Sequence, residues 1–312
     1  MTVERPIPTG ILGFPVTPMN EDLSINYEGF QKNIEFLIEN GLNSIFIACG
    51  AGEFHAISEE EYEQLIIKAK EVVQNRVPIY TGVGGKITEA LRQTKISAKH
   101  GVEGYLILPP YLIDPSQDGI FAYLKMIIKS TDLNAIVYQR DNCILTLDTL
   151  KKLAELPQLV GFKDGVGNIE TNVEFTQALG NRLAWINGMP LAEVTMPTYL
   201  NIGFDTYSSA ISNYIPFVSR QYLNALISGN HEKVKQIYED VIFPIHNIRK
   251  QKKGYAVSLI KAGMNIVGLS VDTHVRPPIA PVEQQHYEAL AKIIERAIEK
   301  YAEVPGGNVS SN

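Results

Sequence analysis

Cysteine is nearly absent from this chain. Cys49 and Cys143 are the only two in 312 residues, too few for a disulfide framework and the usage expected of a reducing compartment. Long apolar runs are missing too. The longest stretch without a charged residue, Pro6–Asn20, has fifteen residues and four prolines, whereas a membrane span needs about 20 apolar ones. There is no basic excess: 28 Lys and Arg against 34 Asp and Glu give a net charge of −6, which argues against a dedicated nucleic-acid binder. The opening Met-Thr-Val-Glu-Arg has no basic segment followed by an apolar one, so no secretory signal is expected. The six histidines are scattered and none belongs to a His-Glu-x-x-His arrangement, which leaves metal ligation without support. Gly82-Val-Gly-Gly-Lys86 lacks the four-residue spacer and the following Ser or Thr of a phosphate loop, so a nucleotide site is rejected. These absences lead to the expectation of a cytoplasmic globular protein without metal or organic cofactor.

What is present is a regular alternation. Hydrophobic residues make up 45% of the chain, ample for a large core. Short apolar, β-branched runs recur eight times: Gly10–Thr17, Ser44–Ala48, Val77–Gly82, Gly104–Leu108, Ala135–Tyr138, Leu159–Lys163, Leu183–Asn187 and Phe204–Ser209. Each is followed by a stretch of helical periodicity, such as Phe30, Ile34, Leu37 and Ile38. Ser58-Glu-Glu-Glu61 reads as a capping box opening the second helix. Five or six such units would suit a doubly wound sheet; eight favour an α/β fold of the (β/α)8 TIM-barrel kind. After about residue 230 the strand signals stop, and His231–Ile248, Tyr255–Val267 and Glu283–Tyr301 read as three helices. The expected organisation is a barrel over residues 1–229, a helical region over 230–303 and a frayed tail over 304–312.

Barrel enzymes place their chemistry at the C-terminal ends of the strands. Lys163 ends the sixth run, Leu159-Val-Gly-Phe-Lys163, where strand alternation puts Leu159, Gly161 and Lys163 on one face. If that face looks into the barrel, the amine lies among apolar walls, with Gly161 leaving room beside it. An ordinary lysine is neutral to only about one part in 2,500 at pH 7; desolvation lowers its pKa and makes a nucleophile able to attack a ketone. The competing reading is a strand-end lysine snorkelling into solvent. Tyr138 ends the neighbouring fifth strand and is either a proton shuttle or a core tyrosine with a satisfied hydroxyl. Arg140 either meets an anionic substrate or pairs with Asp141. Gly50-Ala51-Gly52 either aims backbone N–H groups at a carboxylate or is a tight turn. Gly188 and Ser208 sit at the ends of the last two strands, Ser209 beside them, and complete the set of candidate substrate contacts with Gly50, Ala51 and Arg140. Lys261 is the rival buried amine, but it lies outside the barrel strands. Glu53 most simply fixes its own turn.

Gly13-Phe-Pro-Val-Thr-Pro18, the Gly-x-Gly-Glu turn, Pro-Pro-Tyr111, Tyr138 and Gly-Phe-Lys163-Asp together resemble the dihydrodipicolinate synthase and N-acetylneuraminate lyase superfamily from about Thr9 to Ile294. That resemblance implies a (β/α)8 barrel with three C-terminal helices, assembled as a homodimer or homotetramer with Tyr111 near a subunit contact. It also implies Schiff-base lyase chemistry, with Lys163 forming the imine and Tyr138 transferring protons. The longer strings, such as Tyr138-Gln-Arg-Asp-Asn142, Lys253-Gly-Tyr-Ala-Val-Ser258 and Val275-Arg-Pro-Pro278, are most similar to the branch of 5-dehydro-4-deoxyglucarate dehydratases. The Thr-Thr pair and the second tyrosine with which dihydrodipicolinate synthases relay protons are replaced by Gly50-Ala51 and Leu112, which argues against condensation of pyruvate with aspartate semialdehyde. The chain departs from the dehydratase pattern where Thr gives way to Ala51 and Asn to Gln139, which is expected to lengthen a side chain beside the site. The resemblance thus implies a decarboxylating dehydratase acting on a small keto-acid sugar without cofactor. Its rivals are a pyruvate-releasing aldolase and a keto-acid-binding protein without catalysis.

Overall fold

The computed structural model describes residues 9–302; the leader reading at residues 1–5 and the tail at 304–312 lie outside them. All eight expected strands form: β1 (Ile11–Leu12), β2 (Ile45–Ile47), β3 (Ile79–Gly85), β4 (Gly104–Pro110), β5 (Asn134–Gln139), β6 (Leu159–Asp164), β7 (Ala184–Asn187) and β8 (Thr206–Ser208). They pair in parallel in the order β1-β8-β7-β6-β5-β4-β3-β2. An open sheet would leave β1 and β2 as free edges. Here Gly13 N donates to Ser44 O at 3.0 Å and Phe46 N to Gly13 O at 2.7 Å, which closes the barrel. A Cβ at position 13 would stand 2.8 Å from Ser44 O, so the seam needs glycine.

Helices α1 (Tyr27–Glu39), α2 (Glu59–Val73), α3 (Ile87–Lys99), α4 (Gln117–Ile128), α5 (Leu147–Ala154), α6 (Ile169–Leu179), α7 (Met196–Asn201) and α8 (Pro216–Ile227) connect successive strands and follow the last. The capping box at α2 forms as the sequence predicts: Glu61 N donates to Ser58 Oγ at 3.2 Å, and Ser58 N to Glu61 Oε2 at 3.0 Å. The barrel interior holds a stack of three rings. Phe14 lies 4.6 Å from Phe46, and Phe46 lies 4.7 Å from Tyr80, centroid to centroid.

Strand β6 corrects the alternation read from the sequence. Ala135 pairs with Leu159 but Ile136 pairs with Gly161, so Val160 is an extra, bulged residue. Leu159 therefore packs with Phe162 in the outer layer, while Val160 joins Tyr138 and Ile186 inside. Only Gly161 and Lys163 keep the inward side expected of them. A one-residue bulge carries no sequence signature comparable to the period-2 pattern that it interrupts.

Beyond the barrel, α9 (His231–Ile237) passes through a π turn at Tyr238–Ile242 into α10 (Phe243–Lys250), followed by α11 (Tyr255–Ile266) and α12 (Gln284–Tyr301). The π turn lets Tyr238 donate to Glu193 O, just after β7, at 2.9 Å. One apolar cluster runs from Val16 to Tyr301, so these helices share the core of the barrel rather than building their own. No helix among the described residues is long and apolar enough to cross a membrane.

A buried ion pair fastens the two parts. Glu53 follows the turn after β2 in a left-handed conformation, φ 58°, which is costly for a residue with a Cβ. Its side chain is fully buried; Oε1 accepts from Lys261 Nζ at 2.5 Å and Oε2 from Arg276 N at 2.8 Å. Lys261 also donates to His274 O at 2.7 Å. The rival amine is thus committed to structure, and Glu53 fixes far more than its own turn. Removing one member leaves a buried charge alone, so Lys261→Met should cost about 3–5 kcal/mol. The double variant Glu53→Gln/Lys261→Met should recover a large part of that loss. Urea unfolding of the full cycle checks this; equal midpoints for all four proteins would refute it.

Candidate active site

Strand β6 carries Lys163 into the barrel interior, 5% exposed. Its Nζ lies 3.9 Å from the Phe14 ring centroid and 4.7 Å from that of Tyr138. Burial lowers its pKa to about 7, with the nearby Cys49 opposing and Arg140 adding to the shift. About half of the amine is then neutral at pH 7, against roughly one part in a few thousand for an exposed lysine. Burial pushes the Cys49 thiol up to about 12, so it remains protonated and offers the ammonium no full counter-charge.

Room for the lysine comes from an unexpected glycine. A Cβ at Gly188 would stand 2.6 Å from Lys163 Cε and 2.7 Å from Cγ, whereas one at Gly161 would meet Ile136 at 3.2 Å. The space expected beside Gly161 is therefore supplied by Gly188, at the end of β7.

Tyr138 is opposite Lys163 in the β5–β6 register. Its hydroxyl donates to Gly188 O at 3.0 Å and accepts from Arg140 Nη1 at 3.1 Å. Burial raises its pKa and Arg140 counters that rise. Of the two readings of Arg140, the pairing with Asp141 is present, and the guanidinium also reaches the cavity. It meets Tyr138 on the cavity side, and its Nε stands 3.6 Å from Asp141 Oδ2 in an exposed pair. The next residue along β6, Asp164, anchors the strand end. It accepts from Gln139 Nε2 at 3.3 Å, Gly167 N at 3.0 Å, Asn172 Nδ2 at 2.8 Å and Tyr199 Oη at 2.5 Å. Gln139 in turn accepts from Leu145 N at 2.9 Å. It is buried on the outer side of β5, so the expectation that its extra length reaches the site is overturned: period-2 alternation sends Tyr138 in and Gln139 out.

These residues open into a cavity of about 920 Å3 lined also by Gly50, Ala51, Gly188 and Ser208. Among the described residues, the N–H groups of Gly50 and Ala51 have no acceptor, and neither does the Ser208 hydroxyl. Ser209 is different: its hydroxyl donates to the buried Glu193 at 2.5 Å. Tyr111 and Leu112, on the rim, are 60% and 81% exposed. The structure thus brings together every residue proposed for the site, around one cavity. It adds two that strand-end reasoning missed. Phe14 stood in a quoted motif but had no assigned role; Arg249, from α10, lies on a helix outside the barrel.

A buried amine of lowered pKa must cost stability. Below pH 7 the folded protein has to carry the ammonium in an apolar setting, while the unfolded chain holds its proton up to about pH 10.5. Between those values the unfolded state binds the extra proton, so wild-type stability rises with pH relative to a variant without the amine. Lys163→Met should be the more stable protein at pH 7, and its advantage should shrink by about 2 kcal/mol by pH 9. Urea melts at the two pH values test this; a gap that does not narrow would count against the lowered pKa.

The sequence matches the model of the dihydrodipicolinate synthetase family over residues 7–297. Among curated relatives, a protein of Oceanobacillus iheyensis named probable 5-dehydro-4-deoxyglucarate dehydratase is 55% identical over 96% of this chain and 97% of its own. A protein of Bacillus subtilis with the same name is 55% identical over 95% and 96%. Among solved structures, a dihydrodipicolinate synthase from Oceanobacillus iheyensis superposes with a TM-score of 0.86 at 28% identity, covering 93% of this chain and 97% of that one. With a family model spanning nearly its whole length and full-length relatives above half identity, this chain belongs to the dihydrodipicolinate synthetase family.

Proposed function

We propose that the protein is a Schiff-base lyase that dehydrates and decarboxylates 5-dehydro-4-deoxyglucarate to 2,5-dioxopentanoate. The observation that carries this reading is the Lys163 amine, desolvated to a pKa of about 7 at the floor of a cavity large enough for a six-carbon acid. The substrate comes from the name shared by the relatives at 55% identity.

In this reading Lys163 attacks the ketone, and loss of water gives an iminium. Its positive charge acidifies the neighbouring methylene, and removal of that proton gives an enamine. The enamine expels the hydroxyl two carbons from the imine as water, leaving a conjugated iminium. That iminium accepts the electron pair released as the distal carboxylate departs as CO2. Protonation, tautomerisation and hydrolysis then free the product and the lysine. Tyr138 moves the protons: it lies beside the amine, and Arg140 at 3.1 Å stabilises the phenolate that forms when the phenol gives its proton up. The unpaired N–H groups of Gly50 and Ala51, with Ser208, hold the carboxylate next to the imine; amides serve in the place of the hydroxyl that Ala51 lacks. The barrel carries this chemistry, and α10 and α11 roof it. The exposed Tyr111-Leu-Ile113 run is the surface through which we expect two copies to associate.

Mass spectrometry of the products tests the reading. Wild type should yield 2,5-dioxopentanoate and CO2 in equal amounts, and Lys163→Ala none. Pyruvate among the products would instead indicate the aldolase reaction, and turnover surviving in Lys163→Ala would remove the lysine from the chemistry. Gly188→Ala should lower the rate of adduct trapping by borohydride at least about 100-fold, because its methyl drives Lys163 from its slot and a misplaced group costs that much. Wild-type trapping in that variant would overturn the role given to Gly188.

A further inference from the structure

The cavity has a second guanidinium, brought from outside the barrel. Ile245 and Arg249 are one turn apart on α10 and both face the cavity. Arg249 is half-buried, and among the described residues it makes no hydrogen bond and no ion pair. The acidic residues that line the same cavity do not meet it. Glu89 is held by Lys86 at 2.8 Å on the rim, and Asp141 stands beside Arg140. Burial and the proximity of Arg140 both hold the Arg249 guanidinium below its ordinary pKa. Two guanidiniums thus share one cavity with too little negative charge between them. Desolvating an arginine without a partner is unfavourable, and a fork of N–H donors suits a carboxylate above other anions of this size.

We propose that Arg249 is a specificity residue that receives the carboxylate farthest from the imine, so that the site selects 2-keto acids bearing a second carboxylate. The inference deepens the proposed function and rests on it for the imine at Lys163. It divides the ends of the substrate by element. The amides after β2 and Ser208 take the carboxylate beside the ketone, and α10 takes the other. It also follows that this grip acts before the chemistry is finished. The distal carboxylate leaves as neutral CO2, so whatever Arg249 contributes belongs to the bound substrate and is lost as the carbon–carbon bond breaks. Arg249 should therefore act on KM more than on kcat, as a group that binds the substrate but is not needed to complete the reaction.

The test compares 2-oxohexanedioate with 2-oxohexanoate, which differ only in the distal carboxylate, on wild type, Arg249→Met and Arg249→Lys. Calorimetry measures their affinities, and borohydride trapping reads the adduct on Lys163. Wild type should prefer the diacid by about 10- to 100-fold, the range of a charge-assisted hydrogen-bonded pair. Arg249→Met should lose most of that preference and Arg249→Lys should keep part of it, with KM for 5-dehydro-4-deoxyglucarate raised by more than kcat falls. An unchanged preference in Arg249→Met overturns the inference. Should Arg249→Met not fold, an unchanged preference in Arg249→Lys together with Arg249→Gln overturns it in the same way. If neither acid is trapped on wild-type Lys163, the Schiff-base reading fails, while the calorimetric preference still decides the role of Arg249.

Discussion

The arrangement of the whole molecule depends on one contact between two charges that have no access to water. Glu53 and Lys261 are each fully buried and stand 2.5 Å apart. Either one alone would be untenable in that setting, so the chain is held to the arrangement in which they meet. The carboxylate holds its own residue at φ 58° and, through its second oxygen, the backbone at Arg276. Arg276 extends the junction by pairing with Glu61 on α2 and donating to Leu23 O at 2.8 Å. The turn that offers Gly50 and Ala51 to the cavity and the helices that roof it are therefore parts of one fixture. An apolar pair of similar volume could fill the same space, but it would not distinguish one seating of the helices from another slightly shifted along it.

Around Lys163 the design is the opposite. Among the described residues no carboxylate pairs with its charge, and the faces of Phe14 and Tyr138 lie against the ammonium. Ring faces attract a cation weakly compared with a carboxylate, so the neutral form can compete. Tyr138 stands between opposed influences. Burial keeps its proton on, and Arg140 makes the proton easier to remove. A phenol balanced in this way can give and take a proton in turn, as a sequence of carbinolamine, enamine and iminium steps requires. The missing side chain at Gly188 joins the two residues: it clears the space for the lysine, and its carbonyl fixes the phenol.

Much of this was legible in the sequence for definite reasons. Eight β/α units specify the barrel because each buried strand must be a short apolar run and each helix must show its own period. The strand-end rule then isolates Lys163 and Tyr138 among the many lysines and tyrosines. What escaped were effects that depend on three dimensions. The bulge at Val160 inserts a residue without any turn signal, so Leu159 was assigned to the wrong face. Gln139 looked adjacent to the site because it is adjacent in the chain, yet it bridges Asp164 and Leu145 on the far side of β5. Arg249 could not be selected by a rule about strands, and which face of its helix meets the cavity depends on the π turn at Tyr238–Ile242, an irregularity that periodicity does not reveal.

The distance along the chain between Glu53 and Arg276 has a consequence for how the protein comes into being. The two residues are separated by 223 positions. A ribosome adding about 5–20 residues each second takes roughly 11–45 s to cover that interval. Over most of it the strands of the barrel can assemble, but until Lys261, 208 positions on, has been made the carboxylate has no ammonium to meet, and the apolar faces awaiting the later helices remain open to water. The nascent chain is then a barrel without its roof, exposed to chaperones and proteases for far longer than the microseconds in which its individual helices form. The cavity is closed only after α10 and α11 have been made, so Lys163 waits for residues about a hundred positions further along the chain before it is enclosed.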